Sequence, residues 1–308
     1  MRLIIERLID KITQKQNPTC VGLDTNLGHL PKSLKDSLNI ETIDDAAAAV
    51  LSYNKDIIDA VYDIVPAVKV QIAYYEMLGT CGFDIFKKTI AYAKSKDLIV
   101  ITDAKRNDIG STSAAYSSAH LGRTDLGNTT IESFPTDMLT VNPYLGTDGM
   151  RPFLDDCKKY GKGLYVLVKT SNPSSSELQD LQLTDGRRVY EATADLVMEW
   201  ASELVGEYGY SSIGAVVGAT HKEIGASLRE RMKGIHFLLP GYGAQGATGA
   251  DLAGMFDENG RGGIVNASRS ILSAHIKAGS NDYAAAARAE AIRMQQDIWG
   301  ALGAQGKV

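Results

Sequence analysis

Eight short apolar runs alternate along the chain with longer segments whose apolar residues recur at helical spacing, and this alternation constrains the fold most strongly. Strands separated by helices pair in parallel, and eight such units favour an α/β fold closed into a single (β/α)8 barrel, a TIM barrel. An open, doubly wound sheet is the alternative, but no GxGxxG follows the first run, as a dinucleotide-binding fold leads one to expect. The runs are TCVGLD, AVKVQ, LIVITDA, MLTVN, LYVLVK, IGAVVG, HFLLP and GIVNAS.

A chain of 308 residues suits one barrel domain with insertions. We expect an N-terminal helix over 1–16, the barrel from about 19 to 275 and a C-terminal helix over about 281–303. The connections 106–137 and 170–188 are longer than a crossover helix needs, and long loops in a compact domain are usually functional or disordered. Both follow a strand, which predicts that they lie at the face where barrel active sites are built.

Composition excludes several classes of protein. Cys20, Cys81 and Cys157 form no CxxC pair, which indicates a reducing compartment and no structural zinc site. The N-terminal segment carries charges and no window reaches membrane-spanning length, so a cytoplasmic protein is expected. The net charge is -5 and no long basic run occurs, so nucleic acid is not an expected partner. The histidines show no metal-ligand spacing, and no GxSxG indicates a hydrolase.

The segment ITDAKRNDIGST, residues 101–112, concentrates charge at the end of the third strand. Asp103 and Lys105 are two residues apart, so strand alternation predicts that their side chains point the same way. Asp108 follows in the next loop. An ordinary ion pair at the barrel rim is the simpler interpretation. Catalysis is favoured because charged residues at this end of barrel strands often belong to active sites.

Lys69 lies inside the apolar run AVKVQ, where an unpaired ammonium would be costly to desolvate. Parallel barrel strands have no edges, so this lysine needs a buried or half-buried carboxylate partner. Asp103 on the adjacent strand is the natural candidate. The sequence therefore predicts an alternating Lys–Asp–Lys–Asp array that holds Lys105 in place.

Other strand ends supply candidate binding groups. Asp24 follows the first strand and is either a turn or N-cap residue or an acceptor for sugar hydroxyls. The glycine-rich segment PGYGAQG around Gln245 precedes a helical pattern, and its N–H groups can face an anion. Arg269 follows the eighth strand. Because barrel phosphate sites often form after strands seven and eight, this pair predicts a phosphorylated substrate.

Together these segments resemble the orotidine 5'-phosphate decarboxylase family, most closely its longer bacterial subgroup. DAKRNDIGST is similar to the family's D-x-K-x-x-D signature, and PGYGAQG resembles its phosphate loop. CVGLD, VKVQ, TVNPYLG, VKTSNP, VVGAT and NASRSI follow in the family's order, so the resemblance covers most of the chain. It implies decarboxylation of orotidine 5'-monophosphate to uridine 5'-monophosphate in de novo pyrimidine biosynthesis, without a cofactor.

The resemblance also implies roles for individual residues. Lys105 would donate a proton to C6 of the pyrimidine, and Asp103 would lie against the substrate carboxylate. Lys69 would bridge Asp103 and the ribose. The remaining roles are ribose binding by Asp24, a contribution of Asp108 and Thr112 to the partner's site in a homodimer, contact of Ser171 with the ring, and phosphate binding by Gln245 and Arg269.

Two other functions remain open. A sugar-phosphate aldolase or decarboxylase of the same barrel superfamily would share D-x-K-x-x-D but use a metal ion, with an acidic residue where this chain has Lys69. A lysine there would repel a divalent cation, so this alternative is disfavoured. A non-catalytic nucleotide-phosphate sensor is the second alternative, and a turnover assay would distinguish it.

Overall fold

The computed structural model describes residues 2–243 and 246–308. Eight parallel strands close into a barrel in which each strand pairs with the next along the chain and the last pairs with the first. The predicted fold class is therefore confirmed, and closure rules out the open sheet. The strands are β1 (Thr19–Leu23), β2 (Ala67–Gln71), β3 (Ile99–Arg106), β4 (Met138–Val141), β5 (Gly163–Lys169), β6 (Ser211–Val217), β7 (Ile235–Pro240) and β8 (Gly263–Ala267).

Side chains on each strand alternate between the helix layer and the barrel interior, as the pleat requires. On β5, Leu164 and Val166 pack in the large hydrophobic cluster that the strands form with the helices. Tyr165 between them belongs to a second cluster inside the barrel. Both faces of the strands are thus buried, which explains why the sequence runs are continuously apolar.

The N-terminal helix, Ile4–Lys15, fills the amino-terminal end of the barrel. Ile4, Leu8 and Ile12 recur every four residues on one helix face and belong to the same interior cluster as Tyr165. Ile4 lies beside Gly163, the first residue of β5. Because apolar side chains fill this end, a polar site has room at the opposite end, where the strands finish.

The helices cover the outside of the barrel and occupy parts of both long connections. Residues 106–137 contain a helix and a short hairpin, Thr124–Asp125 with Thr130–Ile131, and residues 170–188 contain two short helical turns. Besides the N-terminal helix, and including those in the two connections, the α-helices are Lys32–Leu38, Ile43–Val61, Ala73–Glu76, Gly79–Ser95, Gly110–His120, Thr147–Tyr160, Ser176–Gln179, Val189–Ala201, Lys222–Arg231, Gly249–Leu252, Arg269–Leu272, Ala274–Ala278 and Tyr283–Ala304. The 3-10 turns are Pro173–Ser175, Ser202–Leu204 and Ala253–Met255. Across residues 2–243 and 246–308, every helix is too short or too polar to cross a membrane.

Candidate active site

A charged array lies at the carboxyl ends of β1, β2 and β3. The ammonium of Lys69 is 2.9 Å from Asp103 Oδ2 and 3.3 Å from Asp24 Oδ1. The ammonium of Lys105 is 2.6 Å from Asp103 Oδ1. The side chains of Lys69 and Asp103 are almost fully buried, whereas that of Lys105 is 46% exposed. The structure therefore brings together Asp24, Lys69, Asp103 and Lys105, as alternating charges.

Asp103 is the centre of this array and accepts four hydrogen bonds. Besides the two lysines, Gln71 Nε2 donates to its Oδ2 at 3.0 Å and Thr140 Oγ1 donates to its Oδ1 at 2.8 Å. Burial alone would raise the pKa of the Asp103 carboxyl, but Lys69 and Lys105 hold that pKa well below its usual range. Burial alone would lower the pKa of Lys69, but Asp103 and Asp24 raise it above its usual range. Both shifts favour the charged forms of Asp103 and Lys69.

The backbone of Lys105 adopts an unusual conformation. Its φ is 49°, in the left-handed region that costs a non-glycine residue free energy. The register between β3 and β4 shifts between Thr102 and Arg106, so the strand bulges there. Thr140 Oγ1 accepts the N–H groups of both Ala104 and Lys105 at 3.0 Å, which holds the bulge in place. The bulge, rather than simple strand alternation, directs the Lys105 side chain toward Asp103.

Two adjoining cavities open at this end of the barrel and share Lys69, Asp103 and Pro240. The larger, of about 430 Å³, is lined by Lys105 and by apolar side chains of β5, β6 and β7. The smaller, of about 280 Å³, extends toward β1 and β8 and contains Asp24, His29, Asn266 and Arg269 among its lining residues. One cavity is therefore mixed apolar and charged, and its neighbour is polar throughout most of its wall.

The smaller cavity has the features of an anion site. Arg269 is exposed and begins the short helix Arg269–Leu272, directly after β8. Gly241 of the predicted phosphate loop lines the same cavity, and both Gly241 and Gly243 have positive φ. Gly22 allows the turn before Arg269 to pass close to β1, because a Cβ on residue 22 would lie 1.9 Å from Ser268 Oγ. Gln245, the other predicted phosphate ligand, lies outside the described residues.

Two predicted site residues do not join the array within one chain. Asp108 Oδ1 accepts the N–H of the next residue, Ile109, at 2.8 Å and forms no ion pair with Lys105. Asp108 also makes no cap for the helix Gly110–His120, whose N-cap residue Ile109 has no side-chain bond. Thr112 is exposed on that helix. The fourth charge of the array within this chain is Asp24. Asp108 was expected at the partner's site, and that expectation stays a prediction.

Ser171 lies where the sequence placed it, in the loop after β5, and lines the larger cavity together with Thr170 and Asn172. A Cβ at Gly218, after β6, would lie 2.8 Å from the backbone nitrogen of Ser171, so a glycine is needed for this close approach. The loop thus covers the end of the cavity opposite Asp24 and Arg269.

Sequence reasoning missed several residues that build the site. Thr140 was visible only as a polar residue in the apolar run MLTVN, and Gln71 only as the last residue of AVKVQ. The sequence assigned His29 no role beyond excluding metal-ligand spacing, but its side chain lines the smaller cavity and accepts the N–H of Asn26 through Nδ1 at 3.2 Å. Burial lowers the pKa of His29, with Asp24 opposing and Arg269 reinforcing that shift.

The fold and this array define the chain as a (β/α)8-barrel protein with its site at the carboxyl ends of the strands, where enzymes of this fold carry out their chemistry. A family model described as the orotidine 5'-phosphate decarboxylase / HUMPS family matches residues 20–287. The chain belongs to this family.

Individual relatives agree with this assignment over most of their length. The orotidine 5'-phosphate decarboxylase of Caldicellulosiruptor saccharolyticus is 44% identical over 274 residues, which cover 88% of this chain and 89% of that protein. The Clostridium tetani protein of the same name is 40% identical over 305 residues, covering 98% of this chain and all of its own. The solved structure of Leishmania donovani OMP decarboxylase has a TM-score of 0.69 at 28% identity and covers 94% of this chain and 98% of its own.

Proposed function

We propose that this protein decarboxylates orotidine 5'-monophosphate to uridine 5'-monophosphate, in de novo pyrimidine biosynthesis. The observation that carries the proposal is the buried Lys69–Asp103–Lys105 array facing a cavity of about 430 Å³ beside a polar cavity that contains Arg269. Such a pair of cavities fits a flat ring in one part and a ribose with its phosphate in the other. The names of the relatives support the same reaction.

Lys105 is the proposed proton donor. Loss of CO₂ breaks the bond between C6 and the carboxylate carbon and leaves the electron pair on C6, where no neighbouring carbonyl delocalises it. The Lys105 ammonium lines the larger cavity and is held by Asp103, so it can stabilise that developing charge and then transfer a proton to C6. Lys105 is left as the neutral amine, which regains a proton from solvent.

Asp103 and the smaller cavity supply positioning in this proposal. An ionised Asp103 would face the substrate carboxylate, a contact that departure of CO₂ relieves. Lys69 and Asp24 would bind the ribose hydroxyls, and Ser171 would contact the ring. Arg269, with Gln245, would bind the phosphate through charge-assisted hydrogen bonds, which provide binding energy remote from the reacting carbon.

We also propose a homodimer whose sites are shared, with Asp108 and Thr112 reaching the partner's array. The support is a set of exposed apolar side chains beside Asp108. Ile109 is 55% exposed, Tyr144 77% and Leu145 45%, and Leu145 and Asp108 both contact the space around Gly149. Large exposed apolar residues that cluster in this way mark an interaction surface.

The competing function is the metal-dependent chemistry of sugar-phosphate enzymes, because the description of the matched family names a second group, HUMPS, beside the decarboxylase. Lys69 argues against it, since its buried ammonium occupies the position next to Asp103 where a cation would have to bind. In the described parts of the chain, no three His, Cys, Asp or Glu side chains are arranged to hold a metal ion.

An absorbance assay of orotidine 5'-monophosphate conversion in excess chelator tests the proposal. We expect unchanged turnover after exhaustive metal removal, with the same protein in magnesium as the control. Activity that chelation abolishes and magnesium restores would replace this function with the metal-dependent one, and no turnover under either condition would favour the sensor.

A further inference from the structure

The loop after β5 places four polar side chains at one end of the larger cavity. Thr170, Ser171, Asn172 and Gln179 line this cavity but not the smaller one that contains Asp24 and Arg269. In the proposed function the smaller cavity takes the ribose and phosphate. The loop therefore faces the edge of the ring that is farthest from the ribose.

A chain of hydrogen bonds fixes the orientation of the amides in this loop. The N–H of Thr170 can only donate, and it donates to Gln179 Oε1 at 3.0 Å. Gln179 must therefore turn its Nε2 toward Thr170 Oγ1, to which it donates at 2.8 Å. The Thr170 hydroxyl hydrogen is then available to Asn172 Oδ1, at 2.6 Å.

This series of hydrogen bonds leaves the Nδ2 group of Asn172 as a donor without a partner among the described residues. Its Oδ1 is occupied by Thr170, and among the described residues no hydrogen bond uses its Nδ2. Asn172 is exposed in the free protein and lines the cavity. The side chain of Asn172 thus offers an amide hydrogen, not an acceptor, to the distant edge of the ring.

An ion pair anchors the loop to the barrel wall. Lys169, the last residue of β5, is fully buried, and its ammonium is 2.7 Å from Oδ1 of Asp180, the neighbour of Gln179 in the sequence. Removing one partner of such a pair leaves an unpaired buried charge, which is strongly unfavourable. Asp180 therefore keeps Gln179 beside Thr170, so the amide orientation is set before any ligand binds.

We propose that Asn172 is a specificity-determining residue that donates a hydrogen bond to the C4 carbonyl of the pyrimidine, and that Gln179 is the positioning residue that orients it. This inference rests on the proposed function. The ribose is attached at N1, and C4 is opposite N1 across the ring, so the C4 substituent reaches the loop. A uracil ring presents an acceptor there, whereas a cytosine ring presents an amino group that would meet the donor of Asn172.

The test compares uridine and cytidine 5'-monophosphates as competitive inhibitors of decarboxylation. Wild type should prefer the uridine nucleotide by about 10-fold or more, the effect of one neutral hydrogen bond and one repulsive contact. Asn172→Asp keeps an acceptor for Thr170 but replaces the donor with a carboxylate oxygen, so the preference should fall by about 10-fold or reverse. The ratio of the two inhibition constants cancels any general repulsion of nucleotides by the new charge.

Two further variants separate orientation from charge. Gln179→Glu still accepts the Thr170 N–H but no longer donates to Thr170 Oγ1, so that hydroxyl turns to the carboxylate and releases Asn172. A smaller loss of the preference is expected, without loss of the folded state. Asn128→Asp, at the exposed turn of the distant hairpin, is the matched control and should leave the ratio unchanged.

The outcomes distinguish this inference from the function beneath it. If the wild type is active but Asn172→Asp keeps the same ratio of inhibition constants, the role of Asn172 is overturned and the proposed function stands. A variant that binds both nucleotides more weakly by the same factor gives this result too. A wild type that does not decarboxylate orotidine 5'-monophosphate would overturn the proposed function, and the inference with it.

Discussion

The two ends of the site differ in how completely the protein satisfies its own charges. At the array, Asp103 accepts four hydrogen bonds, and each lysine beside it is paired. At the anion end, Arg269 is exposed and takes part in no ion pair within the described residues. The array is therefore organised before substrate arrives, as electrostatic catalysis requires, whereas in the proposed function the phosphate of the substrate completes the anion end.

The strongest test of this difference is Lys105→Ala. We expect kcat/KM to fall by at least about 10⁴-fold, because both the proton donor and the positive charge at C6 are lost. The unfolding free energy should change by less than about 1 kcal/mol, since the side chain is half-exposed and both residues have a Cβ at the same positive φ. Lys88→Ala, which removes an exposed helix lysine, is the control, and a residual activity near wild type would remove Lys105 from the mechanism.

A subunit-mixing experiment tests whether each active site also needs Asp108 from the partner subunit. Lys105→Ala and Asp108→Ala homodimers should each be nearly inactive. A heterodimer has one site with both defects and one with neither, so each heterodimer should regain about half of the wild-type activity. Activity is measured after exchange of separately purified variants whose heterodimers have been demonstrated by mass. If heterodimers form but activity does not recover, Asp108 does not contribute to the partner's active site.

Asp103→Asn tests whether the array is a source of stability as well as of catalysis. The folded pKa of Asp103 lies below its unfolded value of about 3.9, so its stabilisation is complete well above that pH and is lost as the pH falls through the folded pKa. The variant should be less stable by about 3 kcal/mol at neutral pH, because Lys69 loses a buried partner.

Urea unfolding from pH 7 into the acid range measures this dependence. The difference between wild type and Asp103→Asn should shrink on acidification below about pH 4. Arg269→Ala, at the exposed end, should follow wild type in parallel. A difference that stays constant over the whole range would mean that ionisation of Asp103 contributes nothing to folding.

Arg269→Ala is expected to give the smallest effect. The loss of charge-assisted hydrogen bonds to the phosphate should reduce kcat/KM by about 10- to 100-fold on the nucleotide. Activity on the unphosphorylated nucleoside should change little, since that substrate never uses the anion end. Equal losses on both substrates would assign Arg269 a structural or catalytic role and remove the contrast between the two ends.

Much of the framework was predictable because it depends on local patterns. Each apolar run became a strand, and Lys69 was expected to pair with Asp103 because a buried ammonium in a parallel barrel needs a carboxylate on the next strand. Neighbouring strands of a βα unit are adjacent in the barrel, so residues 34 apart in sequence could be placed together without coordinates.

Other features depend on how separate strands fit. The sequence did not say which second carboxylate completes the array, and the structure brings Asp24 from β1 to Lys69. Thr140 looked like any polar residue in a strand, yet it bonds Asp103 and two backbone N–H groups of β3.

The sequence by itself therefore determined the barrel, the order of its strands and the buried Lys–Asp pair, since each follows from periodicity and the cost of burying an unpaired charge. The sequence also predicted that Lys105 points the same way as Asp103, but the tertiary structure alone decided how the backbone achieves this direction. That direction depends on a bulge in β3 and on a hydroxyl group from β4, 35 residues away, that holds it in place. No local pattern encodes such a bulge, because it arises from the register of two strands after the barrel has closed.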